Sequence, residues 1–287
     1  MENAIQKDGI TLCPGLNLSA HILRIDRGEA DADFCLEVSK GSREIHAVCC
    51  GKKIVGAALV HEDEDAYLYV YIFPEDRSRG YGYRAVCAAA AYLRDRGCRS
   101  LAAAYHEKND AARALVKKCG FVPRSSTVVM CYSGEKFDLP PAEIRRYEDR
   151  DFLEAYTLSA EAFHRMRVET GHRPDSVPYV PDEEDRKDCL ATADERYVYL
   201  LDGEIVGCAH IDGAEIDNVA IKIQHQGKGL GKILVKYLVN QIMDQQIGEP
   251  FLYCLAINQK AMKLYTSLGF RETVRNVYAV KQLVHPA

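Results

Sequence analysis

Long apolar runs are missing. No stretch approaches the roughly 18 residues that a membrane-crossing helix requires, although 47% of the 287 residues are hydrophobic. The first residues, Met1 to Ile10, are polar and lack the apolar segment of a secretory leader. A cytoplasmic protein with no membrane partner is expected. Metal-ligand spacing is missing as well. Of the eleven cysteines none stands in a CxxC pair, and no histidine is spaced with them as a zinc ligand would be. No metal is expected, and the thiols, including the adjacent Cys49 and Cys50, read as buried or half-buried groups in a reducing compartment. A basic excess is also absent. The net charge of −5 argues against a nucleic-acid partner, which needs a basic surface to neutralise phosphate. An acidic balance suits a cationic substrate such as an amine.

What is present is repetition. GKKIVGAALV from Gly51 resembles DGEIVGCAHI from Asp202. RSRGYGYRAV from Arg77 faces QGKGLGKILV from Gln226, and NDAARALVKKCGF from Asn109 faces NQKAMKLYTSLGF from Asn258. Gly80 and Gly229, Gly82 and Gly231, Asn109 and Asn258, and Gly120 and Gly269 share one offset of 149 residues. Such a period is far too long for a solenoid repeat, so each copy is a whole domain. The join is expected near Lys136 to Ala142, where Pro140 and Pro141 stand. Residues 1–135 and 136–287 are therefore read as two domains.

Each copy has the same order of elements. In the second, Arg196 to Leu201 is a strand, Asp202-Gly203 a hairpin turn, and Ile205 to Ile211 the returning strand. Glu215 to Ile223 reads as a further strand. Lys232 to Gln246 reads as a helix with Ile233, Leu234, Tyr237, Leu238 and Ile242 on one stripe and Gly248 at its end. Phe251 to Ile257 is a strand, Gln259 to Leu268 a helix, and Phe270 to Val280 strand again. In the first copy, Tyr67 to Phe73 is a strand, and Tyr83 to Arg96 a helix with stripe Ala85, Val86, Ala89, Ala90 and Leu93. Ahead of the second sheet, Asp151 to Glu169 is amphipathic, and Pro174 to Asp188 reads as a loop or short helix over a pocket. The expected fold is α/β (α+β): two tandem domains, each a mixed, mostly antiparallel sheet flanked by helices.

Between strand and helix lies a glycine cluster. Glycine lets the chain turn sharply beneath a ligand. The unpaired N–H groups of a helix N-terminus, with the helix dipole behind them, then favour an anion such as pyrophosphate. A Walker loop is excluded, since Gly231 is followed by Lys232-Ile233 and Gly82 by Tyr83-Arg84. A dinucleotide fingerprint lacks its third glycine, where Leu234 stands.

Gln226-Gly227-Lys228-Gly229-Leu230-Gly231 and Arg77-Ser78-Arg79-Gly80-Tyr81-Gly82 both resemble the (Arg/Gln)xxGx(Gly/Ala) signature of the GNAT superfamily of acyl-CoA-dependent N-acyltransferases. Leu264-Tyr265…Gly269-Phe270 and Leu115-Val116…Gly120-Phe121 resemble its second motif. The resemblance implies acetyl-CoA as co-substrate, with its acetyl and pantetheine arm along the backbone of Val219, Ala220 and Ile221. It places the pyrophosphate over Gln226, Gly227, Lys228, Gly229, Leu230, Gly231 and Lys232. It assigns Asn258 to the pantetheine or the adjoining strand. The corresponding positions in the first copy are Val70 to Ile72, Ser78 to Tyr83, and Asn109.

The resemblance also implies direct transfer of acetyl to a primary amine of a small molecule or peptide in a ternary complex. Tyr265 stands where the family commonly places a general acid, and a phenol can supply the proton that a leaving thiolate needs. For the base, Glu215 and Asp217 share one face of their strand with Val219 and Ile221; a water chain is a further alternative. The first copy has Val116, Ala66 and Ala104 at the positions of Tyr265, Glu215 and Tyr253, so it is expected to be catalytically silent, with its CoA binding left open. Two other readings stand beside this one: a non-catalytic acyl-CoA sensor or interaction protein, and a longer-chain N-acyltransferase. The acceptor pocket is expected to draw on Ala160 to His172, Pro174 to Asp188, and Tyr278.

Overall fold

A computed structural model describes residues 5–14, 18, 21, 24, 25, 34, 35, 38, 44–170, 177 and 179–283. The chain divides into two compact units, one of Met1–Arg124 with Asn276–Ala287 and one of Ser125–Arg275.

The sheet of the first unit begins with β1 (Ile5–Lys7), β2 (Ile10–Pro14), β3 (Ile45–Cys50), β4 (Lys53–His61) and β5 (Asp65–Ile72). These are joined antiparallel in sequence order. Strand β6 (Ser100–His106) then lies parallel to β5 over Asp65–Tyr67. Helix α1 (Tyr81–Asp95) connects the parallel pair, and α2 (Asp110–Lys118) follows β6. The anticipated stripe of α1, Ala85, Val86, Ala89, Ala90 and Leu93, is buried in full. It packs on Val55, Ala58 and Leu68 of the sheet.

The second unit repeats this plan with β8 (Glu143–Arg146), β9 (Arg196–Leu201), β10 (Glu204–Asp212) and β11 (Glu215–Ile221), again antiparallel, and β12 (Phe251–Leu255) parallel to β11. Asp202 and Gly203, at φ 52° and 81°, form the left-handed two-residue turn that the β9–β10 hairpin requires. Helix α5 (Leu230–Gln245) and helix α6 (Gln259–Ser267) cover one face. Leu234, Val235, Leu238, Val239 and Ile242 of α5 are buried there. Ile233 and Tyr237, expected on the stripe, are partly buried at its border. The other face is covered by α3 (Phe152–Thr170) and α4 (Glu183–Ala191). Of the anticipated loop or short helix Pro174 to Asp188, residues 174–176 and 178 lie outside the described residues, and the part from Glu183 is helical.

Two details depart from the sequence reading. Helix α5 is ended by Gln246, which takes the left-handed conformation at φ 54°, so Gly248 lies beyond the cap. The last strand of each sheet also comes from an unexpected stretch of chain. Strand β7 (Val122–Cys131) pairs antiparallel with β12 through Thr127–Cys131 in the second unit. Strand β13 (Arg271–Gln282) sends Asn276–Gln282 to pair antiparallel with β6 in the first. The boundaries of the compact units therefore fall at Arg124/Ser125 and Arg275/Asn276 rather than at Pro140-Pro141. Side-chain volume suits this exchange. Tyr278 lies opposite Ala104 on the alanine-rich β6, while Tyr253 on β12 meets Val129, so each pair sets a large residue against a small one.

Gly56 tests the packing of the first sheet. A Cβ there would stand 2.2 Å from the Tyr71 carbonyl oxygen and 3.0 Å from the Ile72 Cα, both backbone atoms that cannot rotate away. Gly56→Ala is expected to lower unfolding free energy by about 1–3 kcal/mol, as overpacking does, measured by urea denaturation. An unchanged midpoint would contradict this packing.

Candidate active site

The site of the second unit starts with the way β11 leaves its neighbours. Its pairing with β10 matches Cys208 to Ala220 but His210 to Asp217, so one extra residue lies on β11 at Asn218–Val219. Asn218 has φ 51°, and the strand bulges there. On the other side, the parallel ladder between β11 and β12 consists of one registered pair, Glu215 with Phe251. Beyond it the two strands part, and no ladder is registered between Val219–Ile221 and β12. Such an opening in a parallel pair leaves backbone donors and acceptors aimed at the gap, where an extended ligand arm can take the place of a strand.

The glycine turn lies at the end of β11. Gly227 and Gly229 have φ 78° and 88°, which only glycine adopts without strain. Gly229 is the N-cap of α5, and no side chain caps the helix. Lys232 N–H folds back to the Gly229 carbonyl at 3.0 Å, which leaves the amides of Leu230 and Gly231 without an intrahelical partner. Gly231 allows the close approach of α6, because a Cβ there would meet Leu264 Cδ1 at 3.2 Å. Lys228 and Lys232 are exposed beside the turn. Backbone and charge together make an anion cradle. Gln226 has a different part: its Nε2 donates to the Ile221 carbonyl at 3.0 Å, tethering the turn to the strand. Asn258 is likewise structural at its oxygen, where Oδ1 accepts from Ala261 N–H at 3.2 Å and caps α6. Its Nδ2 points at Met166 Sδ, 3.9 Å away.

Tyr265 of α6 is 9% exposed, with its ring against Phe270 at 5.9 Å between centroids. Burial pushes its phenol well above the ordinary range, and the neighbouring Cys254 and Asp217 add to the shift. The proton is thus held at neutral pH, and the influence of Asp217 brings these two candidates into one neighbourhood. Glu215 lies two residues further back, at the pair where β11 and β12 are still joined. Asp217 stands past it, at the start of the opening, and accepts from Asn218 Nδ2 at 2.6 Å.

A cavity of about 280 Å³ borders this arrangement on the α3–α4 face, walled by Tyr147, Phe152, Arg196, Cys208, His210 and Asn218 among others. Burial raises the Cys208 thiol to about 12, so it stays protonated and inert. Part of the expected acceptor region does line the cavity, namely Ala160, Arg167, Asp185 and Asp188. Tyr278 lies elsewhere, in the sheet of the first unit. His172 and residues 174–176 lie outside the described residues. The Asn218 bulge flips the alternation of β11, so Val219 and Ile221 pack in the same cluster as Ile216 and do not share a face with Glu215 and Asp217 as period-2 counting implied.

The first copy keeps the turn but not the bulge, and its parallel ladder is two pairs longer before Val70–Ile72 run on unladdered. Ser78, at φ 62°, takes the place of Gly227, and Gly80 caps α1 at φ 75°. Arg77 Nε bonds the Ile72 carbonyl at 3.1 Å as Gln226 bonds Ile221. Strand β5, however, pairs with β4 in unbroken register and stays joined to β6 for three residues. Its cations are engaged within the unit. Arg79 and Lys53 pair with the buried Asp76, whose carboxyl the Lys53 contact holds below the usual range. Arg84 donates to the Asp8 carbonyl at 3.1 Å.

A family model described as the Acetyltransferase (GNAT) family matches residues 20–121 and again 154–270. The chain belongs to the GNAT family of acetyltransferases, and it contains the family domain twice. Its curated relatives include a [ribosomal protein bS18]-alanine N-acetyltransferase of Salmonella typhimurium, 32% identical over 93 residues, or 32% of this chain and 60% of that protein. The Escherichia coli protein of the same name is 35% identical over 69 residues, or 24% of this chain and 47% of that protein. The chain thus spans about half the length of these relatives. Among solved structures, a GCN5-related N-acetyltransferase from Sphaerobacter thermophilus superposes with TM-score 0.75 at 17% identity, covering 98% of both chains. A tandem GNAT protein from the clavulanic acid biosynthesis pathway has TM-score 0.64 at 12% identity, covering 97% of this chain and 100% of that one. Both share the two-domain fold. Among the described residues no group of three or more His, Cys, Asp or Glu is arranged to hold a metal, and no helix is long and apolar enough to cross a membrane.

GNAT proteins use acetyl-CoA as co-substrate, and the orphaned amides of Gly229, Leu230 and Gly231 fit a diphosphate. Gly229→Ala forces a side chain into a left-handed position that costs about 1–2 kcal/mol, so the unliganded turn relaxes and binding must restore it. About tenfold weaker coenzyme A binding is expected by calorimetry, with no change from Gly80→Ala in the first copy. Equal losses in both variants would contradict the difference between the two copies.

Proposed function

We propose that the second unit transfers an acetyl group from acetyl-CoA to a primary amine, by direct attack in a ternary complex. The opening between β11 and β12 carries this reading, because it lies between the anion cradle on one side and Tyr265 with Asp217 on the other. The diphosphate rests on the amides of residues 229–231, with the side chains of Lys228 and Lys232 adding charge. The pantetheine arm runs along Val219, Ala220 and Ile221, and the thioester reaches the bulge.

Acetyl transfer from an ammonium acceptor must shed two protons from nitrogen. One leaves before attack, and the second leaves as the amide forms. We assign both removals to Asp217, directly or through water, because its carboxylate stands at the opening while Glu215 lies where the strands are still paired. The nitrogen lone pair adds to the thioester carbonyl, the C–S bond breaks, and the sulfur takes a proton from Tyr265. That phenol is then reprotonated, and one proton is released to water overall. Burial suits Tyr265 to this task by keeping it neutral until the thiolate develops.

The first unit is proposed to be non-catalytic. It has Val116 where Tyr265 stands, an unbulged β5, and cations occupied by Asp76. As a second reading, the family resemblance also allows a non-catalytic acyl-CoA sensor, which would bind coenzyme A but never release free thiol.

Tyr265→Phe is expected to lower kcat at least tenfold while the Kd for acetyl-CoA stays within a factor of two, measured by thiol release and calorimetry. Asp217→Asn is expected to lower kcat at least tenfold while the Kd for acetyl-CoA stays within a factor of two. An unaltered rate in Tyr265→Phe would remove the tyrosine from the mechanism.

A further inference from the structure

We infer that the acceptor is a small molecule bearing both an amine and a carboxylate, an amino acid or short amino-carboxylate, with its carboxylate held by Arg196 and Tyr147. This rests on the acetyl-transfer reading above and names the acceptor class for that same site.

Three neighbouring strands carry the argument. Arg196 on β9 is registered opposite His210 on β10, and His210 is registered opposite Asp217 on β11. Residues directly opposite in antiparallel pairs share a face, so a guanidinium, an imidazole and a carboxylate stand in file. Two strand spacings, about 10 Å, separate the ends of that file. The face is the one beneath α3 and α4, where Val198 and Cys208 pack with Tyr147 and Ala155. There Arg196, Tyr147, His210 and Asn218 line one cavity. Asn218 in turn bonds Asp217, which joins the cavity to the opening where the thioester is placed.

The polar groups of this cavity are unevenly satisfied. The Tyr147 hydroxyl is buried and has no hydrogen-bond partner among the described residues, in a residue only 6% exposed. A buried hydroxyl left unpaired costs about 1–3 kcal/mol, which a ligand acceptor recovers. Burial also pushes this phenol to about 12, so it is a donor at every physiological pH. Arg196 donates through Nε to Thr192 Oγ1 at 2.8 Å. Its two terminal nitrogens have no carboxylate partner among the described residues, and its charge is felt at Tyr147, Cys189 and Cys208. Two convergent donors, one cationic, match the two oxygens of a carboxylate.

The acidic groups of the wall are placed otherwise. Asp185 accepts from Asp182 N–H at 2.8 Å in the cap of α4, and Asp188 is exposed; Glu195, outside the wall, is held by His210 at 3.3 Å. None of them neutralises Arg196. With the carboxylate on Arg196 and Tyr147, an acceptor spanning the cavity presents its amine to Asp217. At about 280 Å³ the cavity falls just below the usual range for drug-sized ligands, which suits a single small metabolite.

The test uses the full chain with acetyl-CoA, following thiol release for free α-amino acids and for longer ω-amino acids that span the file and, in parallel, for the carboxamide and the decarboxylated amine of each. The expected result is at least one amino acid whose kcat/KM exceeds that of its carboxamide at least tenfold. In Arg196→Gln and in Tyr147→Phe that preference shrinks through KM, with kcat little changed, and Arg196→Lys restores part of it. Equal rates for the acid and amide partners, or a preference for polyamines, would overturn the inference while leaving acetyl transfer intact. If no amine releases thiol, acetyl transfer itself fails, and calorimetry with the same amino acids on the CoA-loaded protein decides this inference. Saturable binding lost in Arg196→Gln supports it, and no saturation overturns it.

Discussion

The parting of β11 from β12 is the constraint on which the rest of the second unit depends. A parallel strand pair is ordinarily sealed by its ladder, and an unsealed one leaves backbone polar groups that must be satisfied from elsewhere. Here the seal ends after Glu215 and Phe251, and three residues later Asn218 breaks the register with β10. Tyr265 and Asp217 flank the gap, and the uncapped glycine turn sits at its end. Each feature alone has an ordinary structural role. Together they surround one space with an anion cradle, backbone that is unladdered on the β12 side, a neutral phenol and a carboxylate.

Duplication supplies an internal control. Both copies keep the left-handed glycine N-cap, the tether from residue 77 or 226 to the end of the preceding strand, and the asparagine cap on the following helix. These shared elements belong to the fold. What differs is the bulge, the length of the parallel ladder, and the residue at the position of Tyr265. These differences, set on a shared scaffold, are what the proposal of a non-catalytic first copy rests on. Replacement of Glu204 by Lys53 and of His225 by Asp76 carries the same message, because in the first unit the buried Asp76 draws in cations that could otherwise meet a phosphate.

Much of this was legible in the sequence. The constant offset between Gly80 and Gly229 identified a duplication, and period-3.6 stripes located α1 and α5 to within two residues. Asp202-Gly203 announced its hairpin through the left-handed turn it must form. Other features were hidden for physical reasons. The exchange of β7 and β13 depends on long-range pairing, which local periodicity does not encode. Gln246 ends α5 in a conformation usually left to glycine, so the sequence pointed to Gly248. Arg196, His210 and Tyr147 carry no motif. They become a group only when three strands align and α3 roofs them, and His210 alone reads as an ordinary half-buried histidine.

Amide hydrogen exchange with and without coenzyme A tests the account most directly, because its central claim concerns particular backbone N–H groups. Ligand is predicted to protect Val219–Ile221 and residues 229–231, and to leave Val70–Ile72 and residues 80–82 as they were. Protection confined to the first copy, or none in either, would contradict it.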